Sequence, residues 1–357
     1  MTIQVLHVSR EFEPLCSGVA RHIQGLAQAI QANPAIRLTI LAPLISADSS
    51  PANLCKGSYG QLWRAVGNSD VVHVHGARSP IAALAAACAI IRGVPLIYTP
   101  HCYYNAGPLW YRLAKRVWDT TVERVMVRGA ATVILLHQGW EGELAKRGLC
   151  PKKTMIVPNC IDERRQATAD APIKLEGSPA LLSVGRLDPI KRLDDAIAAL
   201  NTPHLKQAVL HIVGQGSDRV RLEALAAQQK LTARVRFHGW QDDHVTQRMM
   251  AGCDSMLLAS EREGMPTVVL EALLAGVPIA CSDIEGCRSI TDVVGWEAIF
   301  PVGNPNALAE SLAHSASSNV SEAVIEAVRE GFTWQRKAAA LVRLYESLVS
   351  PSSQLGR

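Results

Sequence analysis

Two glutamates, Glu263 and Glu271, are spaced so that they can hold different parts of one hydroxyl-rich ligand. They lie in segment 260–279, where a polar turn leads into an apolar helix and then a short apolar strand, a pattern typical of a ligand-bearing loop on an α/β sheet. Pro266 can begin the helix, because its missing N–H falls among the donors that a first helical turn leaves unpaired. Glu271 then lies about one turn inside the helix, while Glu263 stays in the loop. The simpler interpretation is an acidic loop followed by a helix whose N-terminal charge is favoured by the helix dipole.

Permanent positive charge follows another apolar segment, 180–184. Gly185 permits close approach to the backbone, and Arg186 and Lys191 place two cations beside a strand end and the N-terminus of the next helix. Fixed cations and free N–H groups in this arrangement suit a diphosphate. A solvated basic turn is the alternative.

Glycines at two other junctions suggest contacts with an anion. Gly214 follows a strand and opens a helix, as in the dinucleotide-binding fingerprint, but Arg219 occupies the position of the third glycine and no acidic residue ends the next strand. A nicotinamide dehydrogenase is therefore the least favoured interpretation. Near the start of the chain, the turn that ends at Gly18 leads into a helix whose free N–H groups can face an anion, although a plain turn explains it equally well.

Histidines lie in or after two strands of the N-terminal half. His101 follows segment 95–98, and a single histidine in such a place is more often structural than functional. His73 and His75 alternate in a strand, which favours a structural role. The sequence contains neither an Asp-x-Asp motif nor clustered histidines and carboxylates, so it predicts no dedicated metal site.

The composition is that of a globular protein with more than one domain. The chain has 357 residues, 48% hydrophobic and 19% charged, so two domains of about 150 to 180 residues are expected. A net charge of +4 fits an anionic ligand or lipid surface and is too small to indicate a nucleic-acid-binding protein. The nine cysteines are scattered without a Cys-x-x-Cys pair, which indicates reduced thiols rather than a disulfide framework or a zinc knuckle.

The apolar segments predict a cytoplasmic protein. The sequence opens on a strand-like segment without a charged-then-apolar leader, and its longest uninterrupted apolar run, 81–91, is too short to cross a bilayer. Any membrane contact is expected to be peripheral. Segment 109–118 combines aromatic with basic side chains, which suits an anionic bilayer surface, although a packed helix with solvated charges explains it as well.

Strand-like and helix-like segments alternate along the chain, which predicts doubly wound, mainly parallel α/β sheets. Strands are expected at residues 3–8, 37–42, 70–74, 95–98, 131–135, 155–157, 180–184, 208–213, 234–238, 254–258 and 277–281. Helices are expected at residues 19–30, 80–91, 109–128, 139–147, 192–200, 218–229, 245–252, 267–275 and 334–349. The pattern breaks at 158–174, so one Rossmann-like domain is placed at 1–163 and a second at 164–334.

Taken together, these segments resemble the retaining glycosyltransferases of the family-4 type, which have the GT-B fold. The most specific similarities are Glu263-x7-Glu271 and the Ser-Val-Gly-Arg-Leu-x3-Lys sequence of 183–191, and weaker ones lie at 157–162, 237–239 and 332–334. The resemblance implies an α/β protein of two facing Rossmann-like domains with a central cleft. It also implies that a C-terminal helix, 335–357, packs back on domain 1–163. The chain departs from the family at 286–289, where a Gly-x-x-Glu is common, and no contact is assigned to Ser289.

The resemblance implies roles for the candidate residues. Arg186 and Lys191 would hold the donor diphosphate, Glu271 would hydrogen-bond the ribose, and Glu263 would contact the sugar hydroxyls. His101 would lie near the reacting carbon. The predicted catalytic residues are therefore His101, Arg186, Lys191 and Glu263. The other predicted donor-binding residues are Gly18, Gly185, Gly214, His238, Gly264, Met265, Pro266, Thr267 and Glu271.

By the same resemblance, the chain is expected to transfer a hexose from a UDP- or GDP-sugar to a glycan or lipid-linked acceptor with retention of configuration. The product would belong to cell-surface polysaccharide or lipopolysaccharide. The nucleotide diphosphate sugar is a co-substrate, and neither a cofactor nor a metal ion is expected. Two alternatives stay open: an epimerase or hydrolase of nucleotide sugars with the same fold, and a catalytically silent subunit that binds a nucleotide sugar. The expected location is cytoplasmic, with a peripheral position on the inner face of the plasma membrane left open.

Overall fold

The computed structural model describes most of the chain as two compact units. The described residues are 2–10, 18–31, 33–43, 53–56, 59–103, 108–163 and 170–350. Unit 1 comprises Met1–Cys160 and Trp334–Arg357, and unit 2 comprises Ile161–Thr333. The boundaries expected from the sequence, 163/164 and 334/335, lie three residues and one residue beyond these.

Unit 1 is an α/β unit on a parallel sheet. Its strands are β1 (Ile3–Val8), β2 (Ile36–Ala42), β3 (Asn53–Lys56), β4 (Val71–His75), β5 (Leu96–Thr99), β6 (Thr132–Leu135) and β7 (Thr154–Ile156). Its helices are α1 (Gly18–Gln31), α2 (Tyr59–Gly67), α3 (Pro80–Arg92), α4 (Leu109–Trp118), α5 (Arg124–Gly129), α6 (Gly139–Ala145) and α14 (Trp334–Val349). Within the described residues the strand order is β3-β2-β1-β4-β5-β6-β7, and each neighbouring pair is parallel.

The C-terminal helix α14 belongs to the core of unit 1. Trp334, Leu341 and Tyr345 are buried there together with Ile23 of α1. The indole of Trp334 lies so close to Gly25 that a Cβ on this glycine would come within 2.3 Å of the indole Nε1. A side chain on Gly25 would therefore push the two helices apart.

Unit 2 is a second doubly wound α/β unit. Its strands are β8 (Ala180–Val184), β9 (Val209–Val213), β10 (Val235–Gly239), β11 (Ser255–Leu258), β12 (Ile279–Ser282) and β13 (Ile299–Phe300). Its helices are α7 (Leu193–Ala199), α8 (Arg219–Gln228), α9 (Asp243–Ala251), α10 (Thr267–Leu274), α11 (Glu285–Val294), α12 (Pro305–Ala316) and α13 (Glu322–Phe332). The order is β10-β9-β8-β11-β12-β13, all pairs parallel. Two such units confirm the predicted α/β, GT-B class.

Several elements were not assigned from the sequence, although two of them carry clear capping signals. The unassigned elements are β3, α2, α11, β13, α12 and α13. Asn304 caps α12 by accepting a hydrogen bond of 3.1 Å from the N–H of Ala307, and Ser321 caps α13 in the same way. Such side chains are standard helix starts, so the sequence offered a basis for both helices.

The helix predicted at 109–128 is helical throughout Leu109–Gly129, but a π-helical turn, Asp119–Glu123, that the sequence did not predict lies between α4 and α5. The hydroxyl of Thr121 donates to the carbonyl of Val117, a contact that competes with regular helical bonding. The wider turn brings both Asp119 and Glu123 into the interior. A π-turn depends on such buried partners, which helical periodicity does not reveal.

Candidate functional site

The loops after β8 and β11 flank the point where the strand order of unit 2 reverses. From β8 the chain moves outward through β9 and β10, and it then returns to β11 on the other side of β8. In open α/β sheets, ligands bind beyond the carboxyl ends of the strands at such a switch point. The β8 loop carries Arg186 and Lys191, and the β11 loop carries Glu263.

Lys191 and Glu263 meet across this switch point. The Nζ of Lys191 donates a hydrogen bond of 2.6 Å to Oε1 of Glu263, and both side chains are largely shielded from solvent. The hydroxyl of Ser260 donates to the same carboxylate oxygen at 2.6 Å. Glu263 is thus held by a cation and a hydroxyl at once, and its charge is balanced within the protein.

Backbone contacts fix the loop that carries Glu263. The N–H of Glu261 donates to the carbonyl of Ile190 at 2.8 Å, which ties the β11 loop to the β8 loop. The hydroxyl of Ser282 donates to the carbonyl of Ser260 at 2.6 Å. Gly286, in the first turn of α11, lies so close that a Cβ there would come within 2.7 Å of the carbonyl oxygen of Glu263. The glycine retained at this departure from the family pattern is therefore required by packing.

Arg186 occupies a different environment from Lys191. Its side chain is 69% exposed, and its Nε lies 2.6 Å from a carboxylate oxygen of Asp188. The sequence suggests the same role for both cations, whereas the structure shows Lys191 shielded and Arg186 exposed. The exposed guanidinium is the more easily reoriented, because solvent screens its ion pair.

Glycine is required where the loops after β8 and β9 touch. Gly214 has a φ of +137°, and a Cβ there would lie 1.9 Å from the carbonyl oxygen of Gly185. The N–H of Gly214 donates to the carbonyl of Gly239 at 2.7 Å, and that of Gly185 donates to Val213 at 3.0 Å. Backbone hydrogen bonds thus join the ends of β8, β9 and β10. A residue larger than glycine at position 214 would push these strand ends apart.

Helix α10 places Glu271 as expected. The helix begins at Thr267, so Pro266 is the residue before it rather than its first residue. Glu271 lies about one turn inside and is partly exposed, whereas Gly264, Met265 and Pro266 are buried. Donor contacts by these residues stay predictions.

The ring of His238 faces a neighbouring strand. Its Nε2 lies 2.9 Å from Nδ1 of His211, and the two rings are stacked. Burial lowers the pKa of His238, and the nearby His211 and Arg236 lower it further. A role of His238 in donor binding stays a prediction, and within the described residues its ring has a structural partner.

In unit 1, His101 follows β5 in a strained backbone conformation. Its φ is +61°, in the left-handed region that residues other than glycine rarely adopt. The N–H of Cys102 donates to the carbonyl of Pro100 at 2.8 Å and closes a tight turn around it. The ring is 94% buried and its Nε2 lies 3.1 Å from Nδ1 of His75. Strain of this kind is maintained when the surroundings determine a residue's position.

His101 is one end of a buried network, here called the histidine chain, that the sequence analysis did not predict. His75 Nε2 lies 2.9 Å from His7 Nδ1, and His7 Nε2 lies 3.1 Å from the hydroxyl of Tyr345. The same hydroxyl lies 3.1 Å from His73 Nδ1, and His73 Nε2 lies 2.7 Å from Thr99 Oγ1. The available signal was the alternation of His73 and His75 in a strand that pairs with the strand of His7.

Burial keeps these histidines neutral. It lowers the pKa of His7 to about 3, with a further contribution from His22, and it lowers the pKa of His22 to about 4 although the hydrogen bond to Asn159 opposes the shift. The pKa values of His73, His75 and His101 are also well below the usual range, mainly because of burial. Nitrogens of His7, His73 and His75, and of His22, His75 and His101, lie within 4.8 Å of one another, a proximity that the sequence analysis did not anticipate.

Gly18, the remaining candidate of unit 1, is the first residue of α1. A Cβ on it would meet nothing within 4 Å, so the described surroundings leave open space at this helix terminus. The turn predicted at 14–18 lies outside the described residues except for Gly18 itself. A phosphate contact at Gly18 stays a prediction.

Helix α4 presents large apolar side chains to solvent. Leu109 and Trp110 are each 70% exposed, and Val117 is 62% exposed. No residue of α4 is buried, and the helix also carries Arg112, Lys115 and Arg116. None of its described side chains is packed into the core of unit 1, and contact with a membrane surface stays a prediction. None of the described helices is both long and apolar enough to cross a bilayer.

Both halves of the chain match models of known protein families. Residues 165–330 match the family described as glycosyl transferases group 1. Residues 36–160 match a glycosyl transferase 4-like domain.

Individual relatives are similar over part of their length. A 2-deoxystreptamine glucosyltransferase from Streptomyces kanamyceticus is 28% identical over 68% of this chain and 66% of its own length. A putative colanic acid biosynthesis glycosyltransferase from Escherichia coli is 30% identical over 54% of this chain and 49% of its own length. The chain thus spans about half to two thirds of these relatives. The structure of Anabaena HepE in complex with UDP-glucose shares the fold, with a TM-score of 0.74 over 97% of this chain and 100% of that one, at 17% identity.

Proposed function

Because this chain belongs to the group 1 glycosyltransferases, we propose that it transfers a hexose from a UDP- or GDP-sugar to a glycan or lipid-linked acceptor. The observation that carries the proposal is the Lys191–Glu263 pair at the switch point of the unit 2 sheet. A cation suited to a diphosphate and a carboxylate suited to sugar hydroxyls meet there. The colanic acid relative supports a product in cell-surface polysaccharide or lipopolysaccharide, and the UDP-glucose complex of HepE supports a UDP-sugar donor.

In the proposed scheme, donor binding changes the Lys191–Glu263 contact. As the sugar–phosphate bond breaks, the leaving diphosphate gains negative charge while the sugar becomes oxocarbenium-like. In the proposed scheme Lys191 leaves Glu263 and, with Arg186, neutralises the diphosphate. The released carboxylate accepts hydrogen bonds from the sugar hydroxyls. One ion pair is thus exchanged for charge-assisted contacts with two parts of the same donor.

The remaining candidates complete the proposed donor site. Glu271, fixed on α10, hydrogen-bonds the ribose. Gly185 and Gly214 allow the backbone to approach the phosphates, and the segment 264–267 borders the donor beside Glu263. Gly18 is proposed to contact the phosphates, and His101 is proposed to lie near the reacting carbon.

We propose retention of anomeric configuration. The acceptor hydroxyl attacks the anomeric carbon on the face from which the diphosphate leaves. The sugar–phosphate bond breaks, the sugar–acceptor bond forms, and the acceptor proton passes to a phosphate oxygen. Lys191, Arg186 and the nearby helix N-terminus supply the positive charge that the leaving group requires, so the scheme includes no metal ion.

The acceptor is proposed to be reached at an anionic lipid surface. Helix α4 combines exposed apolar side chains with Arg112, Lys115 and Arg116, the composition of helices that lie in the plane of a membrane interface. Basic side chains near an anionic surface each add about 1 kcal/mol to such binding. A lipid-linked acceptor would be presented at the same surface.

The experiment that tests the function begins with a thermal-shift screen of UDP, GDP, ADP and their sugars. A ligand at 100 times its Kd adds about 2.7 kcal/mol of stability, which identifies the donor. The donor is then incubated with and without lipid-linked and glycan acceptors, and the product linkage is determined by NMR. Transfer with retained configuration, unaffected by EDTA, is the expected result. Loss of activity in EDTA with recovery in magnesium would contradict the metal-free scheme.

The alternatives give different products. Free sugar or an epimer formed without any acceptor would identify a hydrolase or epimerase. Donor binding without turnover, whatever the acceptor, would identify a silent subunit.

A further inference from the structure

The histidine chain is an unbroken series of hydrogen bonds within unit 1 that begins at His101 and ends at Thr99, the last residue of β5. In order, its members are His101, His75, His7, Tyr345, His73 and Thr99. They come from β1, β4, β5 with its following loop, and α14. None of the members between His101 and Thr99 lies on a loop, so the series is held by the sheet and the C-terminal helix.

The bonding rules of neutral imidazole restrict this chain to two arrangements. A neutral histidine ring has one nitrogen that donates and one that accepts. Both nitrogens of His75, His7 and His73 are engaged within the chain. Tyr345 is buried and its described partners are His7 and His73, so its O–H is expected to donate to one of them while its oxygen accepts from the other. Under that condition, if one ring donates toward Thr99, each of the others does so, and the reverse also holds. The tautomer of His101 is therefore coupled to that of His73, which is four bonds away along the chain.

The distances favour the arrangement in which Thr99 is the first donor. Thr99 Oγ1 and His73 Nε2 are 2.7 Å apart, shorter than the contacts of 2.9 to 3.1 Å elsewhere in the chain. Hydroxyl donors form shorter hydrogen bonds than N–H donors, so this contact fits an O–H that donates to Nε2. His73 then carries its proton on Nδ1, Tyr345 accepts from His73 and donates to His7, and His7 and His75 also carry theirs on Nδ1.

The hydrogen-bond direction that begins at Thr99 also determines which nitrogen of His101 carries the proton. Its Nε2 accepts from Nδ1–H of His75, so its own proton is on Nδ1. Among the described residues no hydrogen-bond partner of this Nδ1 is found. An Nδ1–H is a donor, which is what the oxygen atoms of a sugar or a phosphate require.

We propose that His75, His7 and Tyr345 are positioning residues that hold His101 as a single tautomer and present its Nδ1–H to the donor. The inference rests on the proposed function, which is what places His101 near the reacting carbon. None of the three residues is assigned a contact with the donor. Their effect is on which nitrogen of His101 carries the proton and on how its ring is oriented.

The tautomers are tested directly by NMR of the full chain with ¹⁵N-labelled histidine at pH 7.5, without donor. The expected result is the Nδ1–H form for His101, His75, His7 and His73, whereas a solvent-exposed histidine favours Nε2–H. The His101 signals are assigned by their loss in His101→Asn. An Nε2–H form, a mixture of forms or an imidazolium at His101 in the wild-type protein would overturn the proposal.

The coupling is tested with Tyr345→Phe, which removes the hydroxyl shared by His7 and His73 and keeps the ring. His101 should then show both tautomers, and kcat should fall roughly tenfold with the donor KM within about twofold, since modest misplacement of a catalytic group costs up to about 10². Thr99→Val, which removes the hydroxyl at the chain's end, should act in the same direction. An unchanged tautomer and kcat in a folded Tyr345→Phe would overturn the coupling.

The matched control is Tyr98→Phe. Tyr98 is also a buried tyrosine of unit 1, but its hydroxyl donates to Glu123, and it alternates with Thr99 along β5 and so faces the other side of the sheet. This control should keep the single His101 tautomer. If the protein proves to have no transferase activity, the proposed function fails, whereas the NMR results still decide the tautomer inference.

Metal binding is the physical alternative for a histidine cluster. Wild-type protein and His75→Ala are each titrated with Zn²⁺ and Co²⁺ after chelator treatment. Stoichiometric Co²⁺ binding with a visible spectrum that His75→Ala abolishes would overturn the proposal, because a metal ion would then orient the rings. Absence of such binding supports the hydrogen-bonded chain.

Discussion

The Nζ of Lys191 lies 2.6 Å from Oε1 of Glu263, although the two residues belong to different loops of unit 2. The contact joins the carboxyl ends of β8 and β11, the strands on either side of the switch point. The two charges satisfy each other in the described structure, and the proposed donor would compete for both. Both residues are therefore expected to affect catalysis more than folding.

Replacing the shielded cation should remove most of the turnover. Lys191→Ala is expected to lower kcat about 10² to 10³-fold, the usual effect of removing one well-placed electrostatic group. Arg186→Ala should also lose most turnover, because its guanidinium faces the same diphosphate in the proposed scheme. Lys206→Ala is the control, since this lysine is exposed and precedes β9 at the opposite end of its strand. Near-wild-type rates for Lys191→Ala, measured with the cognate donor, would contradict the assignment.

The two glutamates should differ in what they affect. Glu271→Ala is expected to weaken donor binding about 10 to 100-fold, since a hydrogen bond to a charged group contributes about 1.5 to 3 kcal/mol. Glu263→Ala should mainly lower kcat or alter the choice of sugar, because its contacts are with the hexose. Isothermal titration with the donor and with the free nucleotide diphosphate separates the effects. Equal losses of donor affinity in both variants would contradict the division of roles.

Because Gly214 packs closely against Gly185, adding one methyl group at position 214 should strongly destabilise unit 2. Gly214→Ala would place a Cβ 1.9 Å from a backbone oxygen at a φ of +137°, so the loops after β8 and β9 must separate. Unit 2 should lose at least about 1 to 3 kcal/mol of stability. Gly331→Ala, where a Cβ meets nothing within 4 Å inside α13, should instead be neutral or stabilising by up to about 1 kcal/mol. Urea denaturation of both variants compares them, and similar stabilities would contradict the close packing.

Unit 1 should lose stability as the pH falls below about 6.5. The folded pKa of His7 is about 3 and that of His22 about 4, both below the 6.5 of an unfolded chain. Between these values the unfolded chain binds protons that the folded chain does not, so acid favours unfolding. These two histidines alone would cost about 3 kcal/mol between pH 6.5 and pH 5.

Hydrogen exchange at pH 7.5 and 5.5, corrected for intrinsic rates, resolves this effect by unit. Peptides from β1, β4 and α14 should lose protection at the lower pH, because they carry the buried histidines and Tyr345. Peptides from β8 and β11 serve as the internal comparison. Unchanged protection in unit 1 at pH 5.5 would show that the histidines are not neutral in the folded protein.

The exposed face of α4 should bind anionic vesicles. Co-sedimentation with phosphatidylglycerol vesicles is expected for the wild-type protein, less with phosphatidylcholine, and Trp110→Ser with Leu113→Ser should abolish it. The control is Val220→Ser, since Val220 is 77% exposed on α8 of unit 2. Binding that ignores lipid charge, or that survives loss of both α4 residues, would contradict a role for this helix.

Much of the fold follows from the sequence because parallel strands and helices leave periodic patterns. The strands at 3–8 and 180–184 and the helix at 334–349 were predicted with the bounds that the structure has. The helices at 305–316 and 322–332 were not assigned, although Asn304 and Ser321 mark their starts. The π-turn before Glu123 left no periodic signal, because it depends on partners elsewhere in unit 1.

The sequence by itself determined that Lys191 and Glu263 lie at the same edge of a sheet, since all strands of a parallel sheet end at one edge and both residues follow strands. The tertiary structure decided that they form an ion pair, because that requires β8 and β11 to be neighbours across the reversal of strand order. It also decided that His101 is one end of a chain rather than a lone histidine. His7, His75 and Tyr345 are far apart in sequence, and they meet because of the register of β1 with β4 and the return of α14 to unit 1.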